Sequence, residues 1–181
     1  MKILFIKPPN HGFYHEIVRY YPVGLAYLAA ACRENGFEVK IFDSLVYTED
    51  NCILSDDKLS EGQIYKKNHH PSWNNIISWG ASYKRIEKKI REEKPDVVSI
   101  TAMHSPMYDT AYKIAEIAKE INFNIKVIMG GSHPSIAPEH VLRRSQVDYV
   151  LMGEGEDSIV ELMKCISERS DPVLVDGIAY R

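Results

Sequence analysis

Apolar residues fall into two alternating patterns along this chain: short dense runs, and longer stretches in which they recur every three or four positions. Residues 2–6 (KILFI) form such a run, ended by Pro8-Pro9, as a buried strand does. From Pro22 onward Leu25, Leu28, Ala29 and Cys32 follow i, i+3, i+4, i+7 spacing until Asn35-Gly36, which predicts a helix with its stop signal. Residues 38–42 (EVKIF) predict a second strand. Ser82 stands as the N-cap of a helix whose Tyr83, Ile86 and Ile90 share one stripe before Pro95, and residues 96–101 predict a third strand. The alternation continues with a helix over 107–121, a strand over 125–129 ended by Gly130-Gly131, and a short helix over 138–144 led by Pro138. A strand over 149–152, a helix over 158–168, a turn at Asp176-Gly177 and a last strand over 178–180 complete the series.

Strands alternating with helices predict an α/β fold. The expected form is a doubly wound parallel sheet, Rossmann- or flavodoxin-like, with helices on both faces, because right-handed crossovers place them there. In such sheets ligands sit beyond the carboxyl ends of the strands. The loops to read for chemistry are therefore 7–21, 44–79, 102–106, 130–137 and 153–157. Segment 44–79 breaks the rhythm: it is polar, mixed in charge and dotted with Tyr47, Tyr65, Trp73 and Ile76, so it reads either as a lid or packed cap or as a disordered insertion.

Length adds that 181 residues make a single domain with one modest insertion or tail. A net charge of -3 argues against a nucleic-acid or anionic-membrane footprint and favours a neutral or weakly charged ligand. No apolar run approaches the roughly 18 residues of a membrane span, and the amino-terminal run is too short for a signal peptide. Cys32, Cys52 and Cys165 are odd in number and widely spaced, which excludes a disulfide framework and makes the cytoplasm the expected compartment.

Common ligand signatures are absent from the loops. The first strand leads into KPPNHG rather than G-x-G-x-x-G, and Gly153-Glu154-Gly155-Glu156 follows the fifth strand with two carboxylates that would repel a phosphate. Lys7 stands where a phosphate-receiver module would need acidic residues for a divalent metal. His69-His70, His104 and His133 have no zinc-site spacing, so no metal ligand is assigned. What remains is a set of small and polar loop residues. Gly130-Gly131-Ser132 either lets backbone lie against a flat or elongated ligand or merely closes a turn, and Ser132, His133 and Ser135 offer hydrogen bonds. Thr101, Met103 and Ser105-Pro106 face the same crevice.

Five segments carry a resemblance: 22–30 (PVGLAYLAA), 94–98 (KPDVV), 130–135 (GGSHPS), 153–156 (GEGE) and 177–181 (GIAYR). In order and spacing they resemble the cobalamin (B12)-binding domain that precedes the catalytic barrel in B12-dependent radical S-adenosylmethionine (SAM) enzymes. The resemblance spans nearly the whole chain, leaving only 44–79 outside it, and implies a cobalamin-binding domain over 1–181 with 44–79 as an insertion or cap. Related domains carry D-x-H-x-x-G, whose histidine is the lower cobalt ligand. Gly24 falls on the motif glycine, but Tyr21 stands in place of the histidine and Arg19 in place of the aspartate. Thr101 and Met103 fall on the S-x-L positions, and Gly130-Gly131 on the glycine pair beside the nucleotide tail.

The resemblance thus implies base-off cobalamin without a histidine beneath it, since phenol and thioether are poor cobalt ligands at neutral pH. His11 and His104 are the two alternative ligands. Implied cofactor-binding residues are Pro9, Tyr21, Pro22, Gly24, Leu25, Thr101, Met103, His104, Ser105, Gly130, Gly131, Ser132, His133, Pro134, Ser135, Gly153, Glu154, Gly155 and Glu156. Glu154 and Glu156 either accept hydrogen bonds from corrin amides or ribose, or complement the dipole of the helix after them. No C-x-x-x-C-x-x-C motif for a [4Fe-4S] cluster is present. The chain ends where the family continues into its barrel, so the expectation is an excised module that binds rather than catalyses. Its expected partners are cobalamin and a downstream radical SAM domain of the same polypeptide, which would hold the cluster and SAM for methyl transfer, radical rearrangement or cyclisation. Two alternatives stand beside it: a stand-alone corrinoid shuttle, and a flavodoxin-like nucleotide- or flavin-binding or interaction module.

Overall fold

The computed structural model describes residues 1–12, 21–53, 76–103 and 108–181. Its main sheet has six strands: β1 (Lys2–Lys7), β3 (Glu38–Asp43), β6 (Val97–Thr101), β7 (Lys126–Gly130), β8 (Tyr149–Leu151) and β9 (Ile178–Tyr180), in the order β3-β1-β6-β7-β8-β9. The first five in that order run parallel, as the strand–helix alternation predicts. The last differs: β9 pairs antiparallel to β8. Helix α6 (Glu156–Glu168) carries the chain to the far end of the sheet, and the turn-containing return over 169–177 brings it back before β9 begins.

The helices divide between the faces because apolar side chains alternate along each strand. Ile3 and Phe5 of β1 pack under α1 (Val23–Glu34) and α6, with Leu25, Ala29 and Cys32 of α1 closing that layer. Leu4 and Ile6 face the other way, onto α2 (Tyr83–Glu93), α3 (Tyr108–Ile121) and α5 (Pro138–Leu142). The short helix α4 (Ser132–Ile136) lies in what reads by sequence as a loop, because Gly130-Gly131 and Pro134 mask a single turn. Helix α6 starts two residues before the predicted Ser158, with Glu156 and Asp157 in its first turn, where carboxylates complement the dipole.

Segment 44–79 is more ordered than a plain loop at both of its ends. Strands β4 (Cys52–Ile53) and β5 (Ile77–Trp79) join β2 (Asn10–Gly12) in a small antiparallel sheet of order β2-β5-β4, and residues 54–75, with Tyr65 and Trp73, lie outside the described residues. Ser82 does occupy the N-cap position of α2, but its hydroxyl does not cap the helix. Asp50 does this instead, accepting the Ser82 N–H at 2.9 Å and its hydroxyl at 3.1 Å while Arg85 Nε donates to the same carboxylate at 2.7 Å. The Arg85 guanidinium, with the Ser82 N–H, lowers the Asp50 carboxyl to about 2. Asp50→Ala is expected to lower the unfolding free energy by about 1 kcal/mol, read as an earlier urea midpoint at unchanged slope.

A crevice at the carboxyl ends of the strands

Connections from β1 and β6 leave the sheet toward opposite faces, and a crevice of about 830 Å3 opens where they part. Strand register builds its floor. Lys7 pairs with Asp43; Ile6 pairs with Ile100, which puts Lys7 beside Thr101; Thr101 pairs with Gly130, and Gly130 with Leu151. Strand alternation turns Lys7, Ser99, Thr101, Gly130 and Leu151 toward the α1 side of the sheet, and all five line the crevice. Its walls are the start of α1, with Tyr21, Pro22, Gly24 and Leu25, and the loops after β6, β7 and β8.

These loops hold one another by backbone contacts. Gly131 has φ +109°, and a Cβ there would lie 2.9 Å from the Ala102 carbonyl oxygen, so only glycine fits the crossing of the β6 and β7 loops. The His133 N–H donates to that same carbonyl at 3.2 Å. Ser135 then ties two walls: its Oγ donates to Gly131 O at 2.9 Å and accepts the Gly153 N–H at 3.0 Å. Gly24, by contrast, has nothing within 4 Å of its missing Cβ. The glycines therefore serve different ends, close packing at 131 and open wall at 24.

The rim is apolar yet exposed: Tyr21 is 89% exposed, Ile136 84%, Val23 56% and Met103 40%. Large apolar side chains gathered around one mouth mark a surface built to be covered. Exposed Glu154 and half-buried Glu156 stand among them.

Several sequence-predicted residues come together on this crevice: Tyr21, Pro22, Gly24, Leu25, Thr101, Met103, Gly130, Gly131, Ser132, Ser135 and the 153–156 run. Others do not line it. Pro9 is buried where the chain enters β2, Pro134 is buried against the body of the domain, and His133 turns away to stack on Tyr108, ring centroids 5.4 Å apart, with His140 edge-on at 6.0 Å. His104 and Ser105 lie outside the described residues. Sequence reading passed over Lys7 and Ser99 as lining groups. A hydroxyl inside the run VVSIT and a lysine at the exit of a buried strand were the available signals.

His11, considered above as a ligand, sits in β2 instead, paired with Ser78 and edge-on to the Tyr83 ring at 6.1 Å. It does not line the crevice. Burial lowers its pKa from 6.5 to about 4. Because the folded value lies below the unfolded one, stability is full above pH 6.5 and declines as pH falls toward 4, by on the order of 3 kcal/mol. His11→Phe is expected to flatten thermal denaturation midpoints across pH 6.5 to 4. Asp50 and Glu93, each lowered to about 2, lose their contribution in a separate window at lower pH.

Among the described residues no three His, Cys, Asp or Glu side chains are placed to hold a metal ion, and no helix is long and apolar enough to cross a membrane. Over its full length the chain is 35% identical to an uncharacterized methyltransferase of Pyrococcus horikoshii and covers 33% of it. Over 99% of its length it is 30% identical to an anaerobic magnesium-protoporphyrin IX monomethyl ester cyclase of Rubrivivax gelatinosus, covering 28% of that enzyme. It thus spans about a third of the curated relatives it matches. Its fold superposes, with a TM-score of 0.66 and 19% identity over 99% of the chain and 28% of the other, on the radical S-adenosylmethionine methyltransferase TsrM of Kitasatospora setae, solved with cobalamin and a [4Fe-4S] cluster. The B12 binding domain family model matches residues 68–163, more than half of the sequence, across the strands and loops that form the crevice floor from β6 to β8, and the chain belongs to that family.

Proposed function

We propose that this chain binds cobalamin base-off, with the nucleotide tail in the crevice and the corrin over its apolar rim, as the B12 module of a radical SAM enzyme. The observation that carries the reading is the crevice itself. Its volume of about 830 Å3 falls in the range of small-ligand sites, roughly 300–1,000 Å3, and a glycine and short hydroxyl side chains line its depth. The fit to the group is good: a flat base needs a narrow slot without bulky side chains, and the corrin needs an apolar platform such as Tyr21, Val23, Met103 and Ile136. Backbone and hydroxyl donors near Ser132 and the acceptors Glu154 and Glu156 suit the amides and ribose at the periphery.

Among the described residues no histidine lines the crevice, and His11 is held in β2, which supports binding without an imidazole beneath the metal. Bound cobalamin would supply a methyl carrier or a redox centre. This chain's residues would hold the tail, position the corrin and exclude water from its lower face. The relatives' names, a methyltransferase and a cyclase, favour a parent that carries out methyl transfer or a radical rearrangement or cyclisation. In that parent the [4Fe-4S] cluster and SAM would be held by a downstream domain of the same polypeptide, in the cytoplasm. On this reading residues 1–181 form one cobalamin-binding unit with 44–79 as a long insertion or cap.

Filling the crevice tests this. Gly131→Trp would be a poor probe, because the backbone of Ala102 leaves no space there, whereas Gly24→Trp adds bulk to an open wall. Purified chain titrated with methylcobalamin is expected to bind saturably with a base-off absorbance spectrum. Gly24→Trp should abolish binding at unchanged circular dichroism. The electron paramagnetic resonance spectrum of the bound cob(II)alamin form should lack nitrogen splitting; splitting would assign a histidine ligand, and no binding by folded wild type would overturn the proposal.

A further inference from the structure

Lys7 is the one group on the crevice floor that function has not yet absorbed. It ends β1 beside Thr101, is 2% exposed, and its Nζ lies 3.3 Å from Asp43 Oδ2 at the matching end of β3. A buried lysine is costly, and a partner carboxylate on its flank offsets part of that cost. The ammonium carries three rotatable donors and no acceptor, so pairing with Asp43 and donation to a ligand atom are compatible. Its neighbours Ser99 and Thr101 differ in kind: a hydroxyl turns to donate or to accept, and so accommodates either sort of ligand atom. Among the described polar side chains of the floor, Lys7 alone offers donors and no acceptor.

The base-off reading, on which this inference rests, creates an atom that needs such a donor. A benzimidazole nitrogen released from cobalt becomes a bare acceptor, and an acceptor buried without a partner is unfavourable. We infer that Lys7 is a positioning residue for the tail, its ammonium donating to that imine nitrogen, so that the crevice selects corrinoids whose lower base carries one. Charge-assisted hydrogen bonds are the stronger kind, and the interaction is expected to be worth about tenfold in affinity.

Detaching the base from cobalt penalises cobalamin equally in every protein variant, so the comparison runs between variants rather than between ligands. Wild type and Lys7→Met are titrated with methylcobalamin, with a cobamide bearing a phenolic tail that has no imine nitrogen, and with tail-less cobinamide. Lys7→Met should weaken methylcobalamin about tenfold while the other two stay within about twofold. Since Lys7→Met strands Asp43, the double variant Lys7→Met/Asp43→Leu removes the pair together and should show the same selective loss. With the imine nitrogen 15N-labelled, the bound resonance should move in Lys7→Met and return toward its wild-type position in Lys7→Arg. Equal weakening of all three corrinoids, no weakening, or an unmoved resonance would overturn the inference and leave cobalamin binding standing. Absence of corrinoid binding by wild type would instead remove the base-off reading and this inference with it.

Discussion

Everything at the ligand end of this domain depends on the change of winding direction at β1. Its following helix, α1, covers one face of the sheet, while α2 and α3, on either side of β6, cover the other. Two connections that diverge from neighbouring strands leave a gap that none of the described helices fills, and the gap persists because closing it would require one crossover to reverse its hand. The crevice is thus a consequence of topology. Side chains decide only what it accepts.

Keeping that gap open has a structural cost, met by ties between the loops rather than by core packing. Ser135 spends both halves of its hydroxyl on joining the Gly131 carbonyl to the Gly153 N–H. The Ala102 carbonyl takes the His133 N–H at the point where Gly131 lets the two backbones cross. A residue that looks like a ligand donor in the sequence is therefore committed to architecture, and its effect on a ligand is exerted through the position of the walls. The Lys7–Asp43 pair stands on the same boundary, stabilising the ends of β1 and β3 while presenting an ammonium to the floor.

Much of the frame was legible because its signals are local. The i, i+3, i+4, i+7 spacing through Leu25, Ala29 and Cys32 reports the buried face of α1 directly, and the apolar runs mark the parallel strands. The small sheet was not legible, since it pairs three-residue and two-residue strands from 10–12, 52–53 and 77–79 that carry no periodicity of their own. Asp50 as the cap of α2 was hidden for the same reason: it lies 32 residues from Ser82. At the site, glycines and serines were recognisable by type, but which side chains turn inward depends on register. That is why His133 and Pro134 were grouped with Ser132 although a turn of helix points them elsewhere, and why Lys7 and Ser99 were missed.

Affinity on the proposed reading would come chiefly from burial. No imidazole stands on the described walls, and the described rim is mainly apolar, with Glu154 and Glu156 among it. A benzimidazole buried to the extent of an aromatic side chain, about 150 Å2, would be worth roughly 4 kcal/mol. On the proposed reading the buried tail would be the main anchor of the cofactor. With the retaining contacts deep in the sheet, this chain's residues would hold the cofactor by its tail, at a distance from the metal whose methyl-carrier or redox chemistry it would supply.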